Sequence, residues 1–170
     1  MRIGLISDTH GRLDSRVVEI FEGVDRILHA GDIGGEEILA ELGAVAPVTA
    51  VLGNTDGFPL ASRLKESEVI DLAGKRLLLI HQVGHPERPA AAVTNLLSKH
   101  PIALIVFGHT HAPFDRTLGG VRYLNPGGAG PRRFQLPRSV ALLELGPRDV
   151  TVEFAALDEA SEKQLKEGSW

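Results

Sequence analysis

Residues 3–10 read IGLISDTH: a run of four residues rich in Ile and Leu is followed at once by serine, aspartate, threonine and histidine. Short continuous runs of apolar residues are typical of strands that are buried on both faces. A buried strand disfavours a polar end, so Asp8 and His10 indicate that the chain leaves the core here. The same pairing of an apolar run with a polar end recurs along the chain, and it determines the fold that we predict.

Five apolar runs carry this pattern: Ile3–Ile6, Arg26–His29, Val48–Leu52, Leu77–Ile80 and Ala103–Phe107. Amphipathic stretches between them predict helices over Leu13–Glu22, Glu36–Leu42 and Pro89–Lys99, with a proline in the first turn of the last, where proline is tolerated. This alternation predicts an α/β fold with parallel strands in its first half. Glycine-containing turns predict antiparallel hairpins over 69–80, 114–124 and 139–156, the last turning at Gly146-Pro147.

Composition narrows the classes of function. The chain has 170 residues, which suits a single domain, and its net charge of −4 argues weakly against long nucleic acids without excluding them. The N-terminus turns polar too soon for a signal peptide, and no apolar run approaches the roughly 20 residues of a membrane span. We therefore expect a cytoplasmic protein without a membrane partner. The chain has seven histidines and no cysteine, so any metal must be held by oxygen and imidazole.

Polar residues with metal-binding side chains follow all five runs: Asp8, His10, Asp32, Asn54, His81, His109 and His111. Ligands of α/β sheets bind outside the carboxyl ends of the strands, so these residues converge on one rim if the runs pair in one sheet. Aspartate, asparagine and histidine together suit divalent cations of intermediate hardness, such as Mn, Fe, Ni, Co or Zn.

Spacing and glycines add detail to these motifs. Asp8 and His10 are two positions apart, as are His109 and His111, and residues at this spacing share a face of an extended chain. Glycines precede Asp32, Asn54 and His109, where they permit a sharp turn or a close approach of the backbone. Taken singly, each motif has an ordinary explanation as a turn or a hydrogen-bonded histidine. Their order, each at the end of a predicted strand, favours a joint site.

The ordered series Asp-x-His, Gly-Asp, Gly-Asn, His and Gly-His-x-His resembles that of the calcineurin-like metallophosphoesterase superfamily. The length, the hairpin before His81 and the Asn125-Pro126-Gly127 segment are similar to its minimal bacterial and archaeal phosphodiesterase branch, a relative of the eukaryotic retromer scaffolding subunit. The resemblance implies a four-layer α/β/β/α sandwich with two mixed sheets. We expect this domain to span residues 1–157, followed by a polar helix or tail over 158–170.

The resemblance also implies a dinuclear centre, with Mn first among Mn, Ni, Fe, Co and Zn. One cation would be held by Asp8, His10, Asp32 and His111. The other would be held by Asp32, Asn54, His81 and His109, so that Asp32 bridges. Asp32, Asn54 and His109 would take part in catalysis, with a metal-bridging hydroxide attacking a small phosphodiester in line. The branch tends toward homo-oligomers, and a dimer is left open.

The sequence departs from the family at two points. Many members have a histidine, thought to protonate the leaving oxygen, where this chain has Thr55, so esters with poor leaving groups should react slowly. Gln82 follows His81 in place of the usual glycine. Nearby, His85 is either a substitute acid or ligand or, as we favour, a surface residue. Asp56 is interpreted as a turn residue or a partner of the ligands.

Arginine is suited to bidentate contact with phosphate. Arg12 and Arg132 are the candidates for substrate contact, and Arg116 and Arg133 also lie near the motifs.

Two other functions stay open. The fold could serve as a protein-binding scaffold with little catalysis, which intact metal ligands argue against, or the enzyme could act on phosphomonoesters.

Overall fold

The computed structural model describes residues 1–146 and 149–168. Its strands, in chain order, are β1 (Arg2–Ile6), β2 (Arg26–His29), β3 (Val48–Ala50), β4 (Ser67–Leu72), β5 (Lys75–Ile80), β6 (Gly84–His85), β7 (Arg88–Pro89), β8 (Leu104–Val106), β9 (Phe114–Leu118), β10 (Val121–Asn125), β11 (Ser139–Leu145) and β12 (Val150–Ala156). The α-helices are α1 (Ser15–Ile20), α2 (Glu36–Gly43), α3 (Ala91–Lys99) and α4 (Glu159–Glu167), and a 3₁₀ helix spans Leu60–Ser62.

The strands form two five-stranded mixed sheets. The first has the order β12-β11-β1-β2-β3 and the second the order β4-β5-β8-β10-β9, while β6 and β7 pair separately. Parallel pairing joins β1, β2 and β3, and also β5, β8 and β10. The hairpins β4–β5, β9–β10 and β11–β12 are antiparallel, as predicted. The turn of the last hairpin lies partly outside the described residues, because Pro147 does.

The five apolar runs divide between two mixed sheets, as the resemblance implies, and do not meet the condition of a single sheet under which their polar ends were expected to converge. Three of them become β1, β2 and β3 of the first sheet, and two become β5 and β8 of the second. The carboxyl ends still meet, because the sheets pack face to face and hydrogen bonds cross between them at this edge. One joins the His109 amide to Asp8 Oδ2 at 3.1 Å.

Alternating side chains of the strands build the layers. Ile3 and Leu5 of β1 point into a buried cluster shared with Leu77 and Leu79 of β5, between the two sheets. Ile6, on the other face of β1, packs with residues of α1 and α2. A third cluster joins the outer face of the second sheet to α3. The three clusters cover both faces of both sheets, which gives the α/β/β/α order. Burial of each large side chain contributes about 1.5–3 kcal/mol to the free energy of folding.

The third helix begins later than its sequence pattern indicates. Pro89 lies in β7, paired with Gly84, and α3 starts at Ala91. The amide of Ala90 donates to the Val83 carbonyl, which closes this small hairpin before the helix begins. Placing a proline in the first helical turn is therefore wrong: the proline sits in an isolated two-stranded ribbon, where no further strand needs its missing amide hydrogen.

The C-terminal segment forms the helix expected there. Asp158 caps α4 by accepting a hydrogen bond from the Ser161 amide at 2.8 Å, and the helix contacts β12. A domain boundary at residue 157 stays a prediction, and Ser169 and Trp170 lie outside the described residues. None of the helices described is both long and apolar enough to cross a membrane.

Gly4 leaves space for the ring of Phe21, which packs between α1 and the first sheet. A Cβ atom added at Gly4 would lie 2.9 Å from ring atoms of Phe21, which is fully buried. We expect Gly4→Ala to lower the free energy of unfolding by about 1–3 kcal/mol through overpacking. Urea denaturation followed by circular dichroism measures this.

Gly43→Ala is the matched control, because nothing lies within 4 Å of a Cβ atom added at Gly43. It should leave the unfolding free energy unchanged or slightly raised. Gly4→Ala combined with Phe21→Leu should recover part of the loss. A Gly4→Ala variant as stable as the native chain would contradict the packing described.

Candidate metal centre

Two groups of side chains lie next to each other at the carboxyl edge of the sheets. The first half-site consists of Asp8, His10 and His111, and the second of Asp32, His81 and His109 together with Asn54. Within each of the two carboxylate–histidine groups, the candidate ligand atoms lie within 4.8 Å of one another. Asn54 Oδ1 joins the second at 3.1 Å from His81 Nε2. The structure thus brings together all seven residues singled out in the sequence, whose role as ligands stays a prediction.

Asp32 lies between the half-sites. Its Oδ2 is 3.4 Å from His81 Nε2 of the second half-site and 3.9 Å from His10 Nε2 of the first. Its other oxygen, Oδ1, accepts a hydrogen bond from the Thr55 amide at 2.8 Å. One carboxylate oxygen therefore faces both groups while the other is held by the backbone.

The backbone at this edge is strained. Seven non-glycine residues have positive φ in the described part of the chain, and five of them belong to the half-sites: Asp8 at 56°, His10 at 47°, Asp32 at 53°, His109 at 68° and His111 at 58°. Aspartate and histidine enter this region more readily than most residues, and such strain concentrates at functional sites.

The left-handed backbone also corrects the argument from spacing. Asp8 and His10 are not extended, and neither are His109 and His111. The first pair still reaches one half-site, but the second pair divides, with His109 in the second half-site and His111 in the first. Residues at this spacing share a face only in an extended chain, so the spacing alone does not predict which half-site each residue joins once the backbone is left-handed.

Glycines before two of the ligands allow the strands to close on each other. A Cβ atom on Gly108 would lie 1.9 Å from Ser7 Oγ, and one on Gly53 would lie 2.0 Å from the Asp32 amide nitrogen. Neither position tolerates a side chain, because the neighbouring atoms are a buried hydroxyl and the backbone. The close approach predicted for the glycines before His109 and Asn54 is thus confirmed.

Candidate ligand atoms crowd together in the first half-site. His10 Nε2 and His111 Nε2 are 3.3 Å apart, and Asp8 Oδ1 lies 3.3 Å from His111 Nε2. Asp8 is fully buried, and its Oδ1 has no hydrogen-bond partner within the described chain. Burial raises the pKa of Asp8 to about 7, because the ionised carboxylate loses its hydration there.

Burial disfavours the charged form of three imidazoles at the site. Burial, together with the neighbouring His10 and the charge of Arg133, lowers the pKa of His111 to about 4. Burial also lowers the pKa of His10 and of His81. The Nδ1 of His81 donates to the Ala30 carbonyl at 2.7 Å, so its Nε2 presents a lone pair to the oxygens of Asp32 and Asn54. This crowding of carboxylate oxygens and imidazole nitrogens fits divalent cations, which are the partners that all these atoms can share.

A sequence model of the calcineurin-like phosphoesterase superfamily domain matches residues 1–147. The chain belongs to this superfamily. It is 34% identical, over 90% of its length and 91% of the relative's, to a probable metallophosphoesterase of Methanothermobacter thermautotrophicus. It is 29% identical to phosphodiesterase YfcE of Escherichia coli, covering 85% of this chain and 88% of that one. This calcineurin-like phosphoesterase is accordingly a hydrolase of phosphate esters.

Solved structures show the same fold. Vps29 of Entamoeba histolytica superposes with a TM-score of 0.77 at 25% identity, covering 95% of each chain. The resemblance drawn from the ordered motifs is thereby confirmed, as is the fold class. Membership of the family implies divalent metal ions, and the two half-sites are where this phosphoesterase could hold them.

Asp56 and Asn125 support the loops of this phosphoesterase rather than the ligand side chains. Asp56 accepts hydrogen bonds from the amides of Gly34 and Gly53, both at 2.9 Å, and so joins the loops that carry Asp32 and Asn54. Asn125 is fully buried and donates to the Gly108 carbonyl at 2.9 Å, beside His109. The sequence indicated Asn125 only as part of the Asn125-Pro126-Gly127 segment. Its position directly after a predicted strand was the one signal that could have suggested its contact with the loop of His109.

The arginines near the site differ in their freedom. Arg132 donates to Asp158 at 2.7 Å and to Ser161 and Gln164 of α4, so it would have to leave these partners to reach a substrate. Arg12 is exposed. Arg133 was not chosen from the sequence, yet its charge acts on Asp8, His10 and His111. Substrate contact by Arg12 and Arg132 stays a prediction.

Two histidines outside the half-sites, His29 and His85, form hydrogen bonds with nearby backbone or side-chain groups. His29 is fully buried, with its ring between Thr9 Oγ1 at 3.0 Å and the Gly31 amide at 3.2 Å, and burial lowers its pKa to about 3. His85 is exposed in β6, where its Nδ1 accepts from the Glu87 amide at 3.3 Å. Neither belongs to the groups of ligand atoms, and a catalytic role for His85 stays untested.

We expect Asp56→Ala to loosen the two loops that meet in the second half-site. Removal of both acceptors should lower the free energy of unfolding by about 1–3 kcal/mol, because two amides lose their partner. Urea denaturation of the metal-free protein measures this. Asp56→Asn, which keeps one acceptor oxygen, should lose about half as much. Equal stability of Asp56→Ala and the native chain would contradict the role of Asp56 as a loop tie.

Proposed function

We propose that this chain is a phosphodiesterase that works with two divalent cations, one in each half-site. The observation that carries the proposal is the position of Asp32, whose Oδ2 faces a histidine of each half-site at 3.4 and 3.9 Å. A carboxylate in this position suits a bridge, because it can share its charge between two cations. When bound, such a pair supplies an activated water for in-line attack and neutralises charge on the phosphoryl group.

The charges of the chain favour an anionic substrate once the cations are in place. Asp8 and Asp32 together offset only half of the charge of two dications, and the other ligands are neutral. Although burial raises the pKa of Asp32, hydrogen bonds from Thr55 and the charge of His81 outweigh it, so this pKa lies below its usual value. Asp32 is therefore a carboxylate at neutral pH. The remaining positive charge would bind a small phosphodiester anion.

Asn54 and His109 define the open side of the centre. Both are exposed, whereas Asp8, Asp32, His81 and His111 are buried, so substrate approaches from the side of Asn54 and His109. Thr55 follows Asn54, and its amide and hydroxyl both bond to Asp32. A hydroxyl used in this way does not protonate a leaving group. We infer that the enzyme favours diesters whose leaving group departs unaided.

Diester cleavage is supported by the similarity to phosphodiesterase YfcE, and Mn²⁺ is the cation we propose first. The donor set mixes carboxylate, amide and imidazole without sulfur, which suits Mn and also Ni, Fe, Co or Zn. A cytoplasmic location and a homodimer belong to the same proposal as expectations. A protein-binding scaffold is the second candidate, favoured by the likeness to Vps29.

Turnover of bis(4-nitrophenyl) phosphate by metal-free protein should be absent and should return on addition of Mn²⁺. Asp32→Asn should abolish this activity, because an amide supplies less charge between two cations. The diester should react faster than 4-nitrophenyl phosphate, and a dialkyl diester far more slowly than the aryl one. Elemental analysis should find two cations per chain.

A protein that holds no cation and cleaves no ester, yet retains a protein partner on an affinity column, would instead support the scaffold. A faster reaction with the monoester would make the enzyme a phosphomonoesterase. Comparable rates on alkyl and aryl diesters would contradict the inference drawn from Thr55.

Arg133 is the arginine best placed to contact the phosphoryl group. It lines the same shallow depression as His111 and Gly128. Its loop is hydrogen-bonded to the first half-site, since the Gly130 amide donates to the Asp8 carbonyl at 3.0 Å and the Gly128 amide to the His111 carbonyl at 3.3 Å. Within the described chain, its guanidinium has no hydrogen-bond or ion-pair partner, unlike those of Arg132 and Arg138.

We expect Arg133→Met to raise KM for the diester about five- to tenfold with kcat within about twofold, because a charged hydrogen bond to substrate is lost. Binding of Mn²⁺, measured by calorimetry, should not weaken, because a positive charge near the half-site is removed. Arg133→Lys should recover part of the loss. Arg116→Met is the control, since the Arg116 guanidinium lies over the Phe114 ring. An unchanged KM, or a parallel loss of Mn²⁺ binding, would contradict this role.

A further inference from the structure

Gln82 places its side-chain amide on the open side of the second half-site. Its Nε2 donates to Asn54 Oδ1 at 2.7 Å and lies 3.2 Å from His109 Nδ1. The flanking residues His81 and Val83 are both buried, so the backbone at Gln82 is fixed while the side chain is exposed. The side-chain amide of Gln82 therefore contacts two predicted ligands of one cation, and its backbone is held in place by the buried neighbours.

The lone pairs that Gln82 uses are those a cation would need. An amide nitrogen donates and does not accept, so in this contact His109 Nδ1 is the acceptor and its lone pair faces the Gln82 amide. Asn54 Oδ1 has two lone pairs, and the Gln82 amide occupies one of them. A metal ion could take His109 Nδ1 only after the Gln82 N–H group has moved away, and it would share Asn54 Oδ1 with that group until then.

The first half-site has no such competitor. Asp8 Oδ1 is buried and lacks a hydrogen-bond partner in the described structure, and the His10 and His111 nitrogens contact each other at 3.3 Å. A cation bound there gives Asp8 Oδ1 a partner that it otherwise lacks. A cation in the second half-site instead replaces hydrogen bonds that already exist.

We propose that Gln82 is a built-in competitor for the second cation, which makes the two half-sites fill in order, the first before the second. The inference rests on the dinuclear part of the proposed function. It makes Gln82 a determinant of metal affinity rather than a ligand. Loss of one or two exposed hydrogen bonds corresponds to roughly a threefold to tenfold change in affinity.

Calorimetric titration of metal-free protein with Mn²⁺ tests this. Gln82→Ala should lower the Kd of the weaker site about three- to tenfold and leave the tighter site within about twofold. Gln82→Glu should tighten the weaker site further, because a carboxylate cannot donate to Asn54 or His109 and attracts the cation. Gln135→Ala, which removes another exposed glutamine side chain, is the control and should change neither site.

Nuclear magnetic resonance gives a second readout that does not depend on activity. The side-chain amide resonances of Gln82 should stay in place during addition of the first equivalent of Zn²⁺ and shift during the second. Movement with the first equivalent would overturn the order of filling that we propose.

The outcomes separate this inference from the proposed function. A weaker site of unchanged or reduced affinity in Gln82→Ala, in a protein that still binds two cations and cleaves diesters, overturns the role of Gln82 alone. One cation in the native chain and two in Gln82→Ala supports the competition in its strongest form. A single cation in both proteins overturns the dinuclear centre and the competition with it.

Discussion

A buried carboxylate oxygen that lacks a hydrogen-bond partner in the described structure lies among imidazole nitrogens at one edge of this protein, and the surrounding structure holds it there. Asp8 Oδ1 lies 3.3 Å from His111 Nε2, which in turn lies 3.3 Å from His10 Nε2. In the described structure, Asp8 is too deeply buried for water to relieve it. Such a cluster costs free energy in isolation, and it lasts only because the rest of the fold holds the loops in place.

The scaffold that holds the loops is made of backbone hydrogen bonds and of side chains far from any substrate. The amides of Asp8 and His10 donate to the carbonyls of Gly31 and Asp32, which fixes two left-handed residues. Strain of this kind costs about 1–3 kcal/mol for each residue. Arg138 helps to offset it: its guanidinium donates to the carbonyls of Ala129 and Gly130 and pairs with Asp14 and Asp158. Asp158, the cap of α4, thus supports the candidate metal centre through Arg138.

Much of this arrangement follows from the sequence, because strand ends and ligand chemistry are local properties. The apolar runs located the strands within a few residues, and the polar residue after each run located the candidate ligands. Local patterns do not predict tertiary arrangement. Alternation of buried strands does not say which sheet a strand joins, and spacing does not reveal a left-handed backbone at Asp8 or His109. Arg132 and Arg133 are neighbours in sequence, and only tertiary contacts separate the one tied to α4 from the one beside the site.

The position of β1 has a consequence for how the protein is made. This strand carries Asp8 at its end and lies in the middle of the first sheet, with β2 on one side and β11 on the other. The pairing of Arg2 with Glu144 joins residues that are far apart in sequence. During synthesis, β1 leaves the ribosome long before β11, so it gains this neighbour late. Contacts so distant in sequence form slowly, so the candidate metal centre is completed late in folding. Until then, a nascent chain carries the candidate ligand residues without the geometry that brings them together.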